Sequence, residues 1–482
     1  MATRKKKNDP WSGVDRAQNV DGLFSAMRDQ ANKELGRNDI CIGTELDKLF
    51  VGLQLPALSL RYFFQSSVFP LSLIIQITGE EGTAKTALAL EIIRWHMVHG
   101  GGGVFEENEN KYSPELTKGI MEWCERWLRR FKLIRTRSLE QWQDSLTTTL
   151  DIAKSQQTNP DGPGRTIPIC WVVDSIMGTS PESTLDKIRT EGHASLGFPL
   201  AARLIAEYMR SMPDQIQDFP FTIVGTNHLK PPIATGPMQP GGMKDSIPGG
   251  KAVKFMETFE IKMKHDSQKT ISTNERGGLR LRIINTKNSM GPGHKQIQAS
   301  LLWWKEDLPD GGWRQQTAWD WHSATIQLWN AFEVGATTDT KGMKTTWKKM
   351  MDICDFRIVS KTTKMVYSNA LGITKSEPVP YYLAAQMLEQ RPELIKALHC
   401  VLGVTERKAF QPGVDYMETR AAELAASGAQ TSSLYADIAS LPALGGDFEP
   451  VIPEAPTELS SEEIVNAEVP RDAFSSSPRG AV

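Results

Sequence analysis

The sequence predicts an α/β protein whose central sheet is largely parallel. Apolar runs of strand length alternate with helical patterns through the middle of the chain, as in sheets whose crossovers are helices. A glycine-rich turn at residues 79–86 joins an apolar run at residues 73–77 to a helix-forming run at residues 87–93. Because parallel sheets bind ligands at the carboxyl ends of their strands, functional residues are expected there.

Periodicity places the other elements of this core. Strand candidates lie at residues 167–173, 221–225, 258–263 and 279–284, and helical stretches at residues 116–131 and 195–212. Ahead of the core, residues 20–35 carry apolar side chains at helical spacing, which indicates an isolated amphipathic helix. It could dock on its own chain or on a neighbouring copy.

A change in composition near Trp304 indicates a second, smaller domain. Five tryptophans lie between Trp304 and Trp329, a polar linker follows at residues 337–341, and helical patterns continue to Ala426. We therefore divide the chain into four parts. These are a basic start with the N-terminal helix (1–45), the core (46–303), a mostly helical C-terminal domain (304–445) and an acidic tail (446–482).

Charge is distributed unevenly between the tail and the rest of the chain. Residues 447–482 contain eight acids and two bases, whereas the whole chain has a net charge of −2, so the remainder carries about +4. Such a Pro- and Ser-rich acidic segment is expected to be disordered. It is either a plain solvated extension or a polyanion that competes with DNA for the body of the protein.

Composition also indicates the compartment. The hydrophobic fraction of 40% and the charged fraction of 23% are those of a soluble globular protein. No apolar run approaches the roughly 20 residues that span a bilayer, and the basic start lacks a signal peptide's apolar stretch, so a cytoplasmic protein is expected. The five cysteines include no C-x-x-C pair, which favours reduced, mostly buried thiols.

The turn GEEGTAKT is typical of a phosphate-binding P-loop between a strand and a helix. Backbone N–H groups and the positive end of the helix are expected to face a nucleotide's phosphates, with the Lys85 ammonium on the β- and γ-phosphates and the Thr86 hydroxyl on Mg²⁺. Ala84 stands where the pattern has its second glycine, which a backbone in the α region would tolerate. The predicted nucleotide-binding residues are Gly79, Glu80, Glu81, Gly82, Thr83, Ala84, Lys85, Thr86 and Ala87.

Polar residues end three further apolar runs. Asp174 ends the run at residues 169–173 and is the predicted residue on the Mg²⁺ side. The acidic cluster at residues 106–109 can supply the carboxylate that activates water for hydrolysis. Asn227 and His228 end another run and could hydrogen-bond the γ-phosphate or its water.

Two long segments are candidate DNA-binding loops, the alternative being plain surface loops. Residues 230–250 are rich in glycine and proline without periodicity, and loops of this length inside a domain are usually functional or disordered. Lysines there could contact phosphates, and apolar side chains could wedge between bases. The residues concerned are Lys230, Ile233, Met238, Met243, Lys244 and Lys251, with Lys187, Arg189 and His193 in a second loop at residues 177–197.

In this order the segments resemble the RecA family of ATP-dependent recombinases, with spacing most similar to phage-encoded RecA-like proteins. GEEGTAKTALAL resembles the family's Walker A segment, WVVDS its Walker B segment, and TNHLK its switch segment. PGGKAVKF, with Gly249, Gly250 and Lys251, resembles the close of its second DNA-binding loop. The resemblance covers residues 20–298 and implies a RecA-like P-loop NTPase core with ATP and Mg²⁺ as cofactors.

The resemblance also implies individual roles. Lys85 and Thr86 bind phosphate and Mg²⁺, Asp174 holds the metal shell, and Glu109 is the general base, with Glu107 the alternative. His228 takes the switch position, where bacterial RecA has glutamine. In the family ATP lies between adjacent subunits; Lys287 resembles the lysine that reaches it from the neighbour, and Ser289 stands where bacterial RecA has a second lysine.

The expected function is therefore ATP-dependent homologous pairing and strand exchange by a helical filament on single-stranded DNA. Expected partners are single- and double-stranded DNA, further copies of the chain, and single-strand-binding and loader proteins; in a phage setting the location is the host cytoplasm or nucleoid. Two alternatives stay open. One is a RecA-fold replicative helicase, which forms rings, and the other is a non-catalytic ATP-binding accessory protein.

Overall fold

A computed structural model describes residues 51–158, 167–176, 178–191, 197–216, 219–229, 256–272, 276–337, 343–360 and 365–410, together with residues 30, 33 and 254. The predicted N-terminal helix, the acidic tail and the loop at residues 230–250 lie wholly or almost wholly outside these residues. None of the helices among the described residues is long and apolar enough to cross a membrane.

Strands and helices alternate through the first two thirds of the described chain. The strands are β1 (Val51–Gln54), β2 (Val68–Pro70), β3 (Ile74–Gly79), β4 (Gly102–Glu107), β5 (Phe131–Arg135), β6 (Ile169–Asp174), β7 (Phe221–His228), β8 (Phe259–Ser272), β9 (Arg276–Asn288), β10 (Gln296–Asp307), β11 (Trp313–Trp319), β12 (Arg357–Ser360), β13 (Met365–Tyr367), β14 (Val379–Pro380) and β15 (Lys408–Ala409). The helices are α1 (Leu58–Phe64), α2 (Lys85–Val98), α3 (Pro114–Ile120), α4 (Glu125–Arg130), α5 (Leu139–Thr158), α6 (Glu182–Glu191), α7 (Gly197–Ile216), α8 (Trp321–Thr337), α9 (Met343–Cys354), α10 (Tyr381–Glu389) and α11 (Pro392–Leu402).

A nine-stranded sheet in the order β11-β10-β9-β8-β3-β7-β6-β4-β5 forms the centre of the molecule. Neighbours from β8 to β5 run parallel, and β9, β10 and β11 extend the sheet with antiparallel pairs. The predicted α/β class with a largely parallel sheet is therefore confirmed. Strand β3 lies in the middle of the sheet, where both of its faces are covered. Every residue from Ile74 to Gly79 is therefore buried.

Helices cover both faces of the parallel strands. One core cluster packs α2 side chains such as Leu88 and Ile92 against Ile75 and Ile77 of β3. On the other face, α5 and α7 pack against Trp171 of β6 and its neighbours. Burying these apolar faces is the main favourable contribution to folding, at about 25 cal/mol per Å².

The C-terminal helices form a third cluster. Helices α8 to α11 enclose a core that includes Trp329, Met350 and Leu398, beside the small sheet β12-β13-β14. This mostly helical region follows the central sheet in the chain. However, β10 runs through the predicted boundary at residue 303, and the sheet continues to Trp319. The division of the chain into domains stays a prediction.

Two predicted elements differ from the structure. The helix predicted at residues 116–131 is broken into α3 and α4, because Glu122 and Trp123 adopt positive φ angles of 53° and 56°. The indole N–H of Trp123 donates to the carbonyl of Gln315 at 2.9 Å, which ties this break to the edge strand β11. The segment predicted as a loop at residues 177–197 contains the ten-residue helix α6.

Candidate active site

The carboxyl ends of β3, β4, β6 and β7 meet at one edge of the sheet and bring the predicted site residues together. Gly79 pairs with His228 in the β3–β7 register, and Glu107 pairs with Asp174 in the β4–β6 register. Residues that lie far apart in the sequence are therefore neighbours at this edge. This is the location predicted from the alternation of strands and helices.

The P-loop connects β3 to α2 as a tight turn closed by its own side chains. The Thr83 hydroxyl donates to the carbonyl of Glu80 at 2.7 Å, and the Lys85 ammonium donates to the carbonyls of Gly79 at 3.1 Å and Glu80 at 2.8 Å. Burial lowers the pKa of Lys85, and the carboxylates of Asp174, Glu109 and Glu81 oppose that shift. A buried ammonium that donates to neutral carbonyls would form stronger hydrogen bonds with charged phosphate oxygens.

Ala84 does not have the backbone conformation that the sequence led us to expect. It lies in the left-handed region at φ 57° and ψ 32°, immediately before α2, rather than in the right-handed α region. Glycine adopts this conformation without strain, whereas a residue with a Cβ atom is destabilised in it by about 1 kcal/mol. This left-handed conformation explains why the P-loop pattern has a glycine at this position, and Ala84 is strained there.

Asp174 joins the P-loop helix to β7 through hydrogen bonds. Its Oδ2 accepts from the Thr86 hydroxyl at 2.6 Å, and its Oδ1 accepts a short hydrogen bond from the Thr226 hydroxyl. These hydroxyl and carboxylate oxygens are the hard ligands that Mg²⁺ prefers. Among the described residues, no cluster of three or more Asp, Glu, His or Cys side chains could hold a metal ion. Mg²⁺ bound beside Thr86 and Asp174 would therefore also need phosphate and water oxygens as ligands.

Glu109 lies where β4, β6 and β7 meet. The Ser175 hydroxyl donates to its Oε1 at 2.5 Å, His228 Nε2 lies 3.3 Å from Oε1, and Lys111 Nζ lies 3.3 Å from Oε2. Burial acts to raise the pKa of Glu109, but the hydrogen bond from Ser175 and the charges of His228 and Lys111 together hold it below its usual value. The carboxylate is therefore ionised and can accept a proton at neutral pH.

Glu107 has a different environment, although it is two residues away. It is buried, and its Oε1 accepts the backbone N–H of Lys111 at 2.6 Å while Oε2 lies 3.8 Å from Arg135 Nε. These contacts hold the turn that carries Glu109. The geometry therefore favours Glu109 over Glu107 as the residue that faces the site.

Several contacts at this edge were not assigned from the sequence. Ser175 and Thr226 lie inside the WVVDS and TNHLK motifs, but their partners lie in other segments: Glu109 in the turn after β4, and Asp174 at the end of β6. His265 of β8 also lies against the P-loop, with its Nε2 3.8 Å from the position of a Cβ on Gly82. Such contacts depend on strand order and register, which local patterns do not specify.

The chain is similar in sequence to several bacterial RecA proteins. The RecA protein of Treponema pallidum (strain Nichols) is 25% identical over 238 residues, which is 49% of this chain and 52% of that protein. The RecA protein of Oceanobacillus iheyensis is 24% identical over 298 residues, covering 62% of this chain and 77% of the relative. The chain is a distant homologue of bacterial RecA proteins. No family model matches it.

The chain spans about half the length of the Treponema protein. The RecA protein of Caldanaerobacter subterraneus is 26% identical over 235 residues, which is 61% of its length.

Lys287 lies away from the P-loop of its own chain. It pairs on β9 with Glu260, which is in register with Gln76 of β3, well before the carboxyl end of that strand. Its ammonium donates to the carbonyls of Lys254 at 2.5 Å and Glu257 at 2.6 Å.

The candidate DNA contacts lie mostly outside the described residues. Lys187 and Arg189 lie on the exposed helix α6 rather than in a loop, and Arg189 pairs with Asp186 at 3.2 Å. The candidates that the structure does not describe are His193, Lys230, Ile233, Met238, Met243, Lys244, Gly249, Gly250 and Lys251.

Proposed function

We propose that this protein is an ATP-dependent DNA recombinase that assembles into a helical filament on single-stranded DNA and exchanges strands with a homologous duplex. The single observation that carries the proposal is the convergence of Lys85, the Thr86–Asp174 pair and the Glu109–His228 pair at one end of the sheet. Distant homology to bacterial RecA proteins supports the same class of function.

The residues of this site suggest how hydrolysis proceeds. The Lys85 ammonium would leave the Gly79 and Glu80 carbonyls for the β- and γ-phosphates of ATP, and Thr86 with Asp174 would hold Mg²⁺. Bound there, Mg²⁺ supplies charge neutralisation for the phosphates. Glu109, ionised at neutral pH, accepts a proton from the attacking water.

His228 couples the site to the rest of the protein. Its Nε2 lies 3.3 Å from Glu109, and the candidate DNA-binding loop at residues 230–250 follows it directly in the sequence. We propose that the γ-phosphate is sensed through this pair and orders that loop, so that ATP binding and DNA binding are coupled. Contacts to DNA phosphates make the binding sequence-tolerant and sensitive to salt.

The wider setting belongs to the same proposal. A modestly basic body and the absence of a membrane-spanning helix among the described residues are compatible with a cytoplasmic DNA-binding protein. The motif spacing also favours relationship to phage-encoded RecA-like proteins. Single-strand-binding and loader proteins are further proposed partners.

The experiment is a measurement of ATP hydrolysis with and without single-stranded DNA in wild type and Lys85→Ala. Hydrolysis in wild type is expected to rise with DNA, and the variant should lose it because the phosphate-binding charge is gone. Lys132→Ala, which removes an exposed lysine on β5, is the matched control and should behave as wild type. Normal turnover in Lys85→Ala would refute the assignment.

Two further outcomes separate the alternatives. An accessory protein would bind ATP without DNA-stimulated turnover, an alternative that Ala84 and Ser289 leave open because both depart from the RecA pattern. A helicase would unwind forked duplexes and form closed rings. The PGGKAVKF segment favours the recombinase.

A further inference from the structure

The turn after β4 brings an ammonium group, that of Lys111, to the mouth of the candidate active site. Its Nζ lies 3.3 Å from Oε2 of Glu109, the proposed general base. The Lys111 side chain is 66% exposed and that of Glu109 is 19% exposed, so the ammonium lies on the open side of the carboxylate. This lysine lies outside the sequence motifs that predict the site.

Hydrogen bonds fix the backbone of this turn. Glu107 Oε1 accepts the backbone N–H of Lys111 at 2.6 Å. The backbone N–H of Asn108 donates to the carbonyl of Asp174 at 2.9 Å, and its side-chain oxygen accepts from the Thr136 hydroxyl at 2.6 Å. The base of the lysine is therefore held in place, while its flexible four-carbon stem allows the ammonium to change partners.

The charges that act on Lys111 belong to the nucleotide site. Its pKa is raised, chiefly by the hydrogen bond and charge of Glu109 and further by the carboxylates of Glu81 and Asp174. Burial and, to a smaller extent, the positive charge of Lys111 lower the pKa of Lys85, the proposed phosphate-binding lysine. The Lys111 ammonium is thus charged at neutral pH and lies within electrostatic range of the P-loop.

A bound triphosphate would change the anion that this ammonium faces. Its contact with Glu109 is open to water, where an ion pair contributes little stability. A terminal phosphate carries about two negative charges on three acceptor oxygens, which makes it the stronger partner for an ammonium. Once the ammonium has moved to the phosphate, the Glu109 carboxylate can accept a proton from water.

We propose that Lys111 is a catalytic residue whose ammonium donates to the γ-phosphate of the nucleoside triphosphate bound to its own chain. The proposal rests on the proposed function, because it takes the P-loop site to hydrolyse that triphosphate. In this step the water oxygen bonds to the γ-phosphorus and its proton passes to Glu109. The bond to the bridging oxygen breaks, and its electron pair stays on ADP. Lys111 stabilises the charge that develops on the γ-phosphate oxygens.

Nucleotide binding and hydrolysis by Lys111→Ala in the full chain test the proposal. The variant should lose about 10²–10³-fold in kcat, the usual effect of removing one donor that stabilises transition-state charge. It should bind a slowly hydrolysed ATP analogue roughly tenfold more weakly, because a charge-assisted hydrogen bond is lost. Its affinity for ADP should stay at the wild-type value, since ADP has no γ-phosphate. A purely structural role would weaken the binding of both nucleotides alike.

Lys132→Ala is the matched control. Lys132 is an exposed lysine on β5 whose ammonium donates to the backbone carbonyl of Arg129 at 3.3 Å. This variant should keep the wild-type kcat and both affinities. An unchanged or raised kcat in Lys111→Ala would overturn the inference, and so would equal losses of affinity for the ATP analogue and for ADP.

Mixing two impaired variants shows whether Lys111 acts within its own chain. In an equimolar mixture of Lys111→Ala and Lys85→Ala, no chain carries both ammonium groups. The mixture should therefore hydrolyse ATP no faster than the two variants measured separately. Hydrolysis restored by mixing would overturn the inference, because Lys111 would then serve the nucleotide of another copy. Wild type that neither binds nor hydrolyses ATP would instead overturn the proposed function.

Discussion

At the scale of single residues, the predicted P-loop between β3 and α2 carries strain at Ala84. The residue has φ 57° directly before α2. Replacing it by glycine removes the clash of the Cβ with the backbone, although it also gives the unfolded chain more freedom. The position therefore contributes to the stability of the loop independently of any ligand.

We predict that Ala84→Gly stabilises the protein by up to about 1 kcal/mol in denaturant unfolding, since relief of strain exceeds the entropic loss. Ala87→Gly is the matched control, because Ala87 lies inside α2 and is buried. That control should destabilise by about 1 kcal/mol or more. Equal losses of stability in the two variants would contradict a left-handed Ala84.

The two candidate bases are separated by a second pair of variants. Glu109→Gln should keep ATP binding and lower kcat by roughly 10²–10⁴-fold, because a general base is removed. Glu107→Gln should keep most of kcat and lose stability, because Glu107 accepts from the Lys111 backbone and faces Arg135. Single-turnover hydrolysis and thermal unfolding measure the two effects. The reverse pattern would assign the base to Glu107.

Much of this site could be predicted from the sequence, because its main residues end apolar runs or open a helix. Lys85, Thr86, Asp174, Glu109 and His228 were all placed at the sheet edge in this way. The hydroxyls of Ser175 and Thr226 were not, since each donates to a carboxylate that lies far from it in the sequence. The left-handed backbone of Ala84 also differs from the right-handed α conformation expected at this position.

At the scale of elements, the strands were predicted more reliably than the connections between them. Buried parallel strands are continuous apolar runs, so β3, β6 and β7 are visible in the sequence. The break between α3 and α4 is not, because it depends on a tertiary hydrogen bond from Trp123 to β11. The sequence predicts a loop where helix α6 lies, because the helical pattern there is short and polar.

Helix α2 is tied to the C-terminal region by a buried polar network. Glu91 accepts from the indole N–H groups of Trp95 at 2.9 Å and Trp321 at 3.1 Å, and it pairs with Arg94 at 3.1 Å. Because α2 begins at the P-loop, this network connects the nucleotide site to α8. Without the Glu91 carboxylate, less negative charge would balance the buried guanidinium of Arg94.

We therefore predict that Glu91→Ala lowers the free energy of unfolding by about 3–5 kcal/mol, the usual effect of removing one member of a buried ion pair. Glu207→Ala is the control, because Glu207 pairs with Arg203 on the exposed surface of α7 at 2.9 Å. That control should leave stability unchanged within error. Urea unfolding decides the matter, and a Glu91→Ala variant as stable as its control would show that the network contributes little.

At the scale of the whole molecule, Lys287 and the P-loop lie at different places along the central sheet. The P-loop lies at the carboxyl ends of the parallel strands, whereas Lys287 is held by carbonyls of its own chain near the beginning of β8. We propose that this lysine acts on a nucleotide bound to another copy of the chain. The antiparallel strands β9 to β11 that carry it extend the sheet past the predicted domain boundary, which the composition change at Trp304 did not reveal.

The central claim is that a nucleoside triphosphate is bound between copies of this chain and orders them on single-stranded DNA. Electron microscopy with a slowly hydrolysed ATP analogue and single-stranded DNA tests it most directly. We predict continuous helical filaments in which the P-loop of one subunit faces Lys287 of the next. Particles that remain monomeric, or that close into rings, would contradict the account.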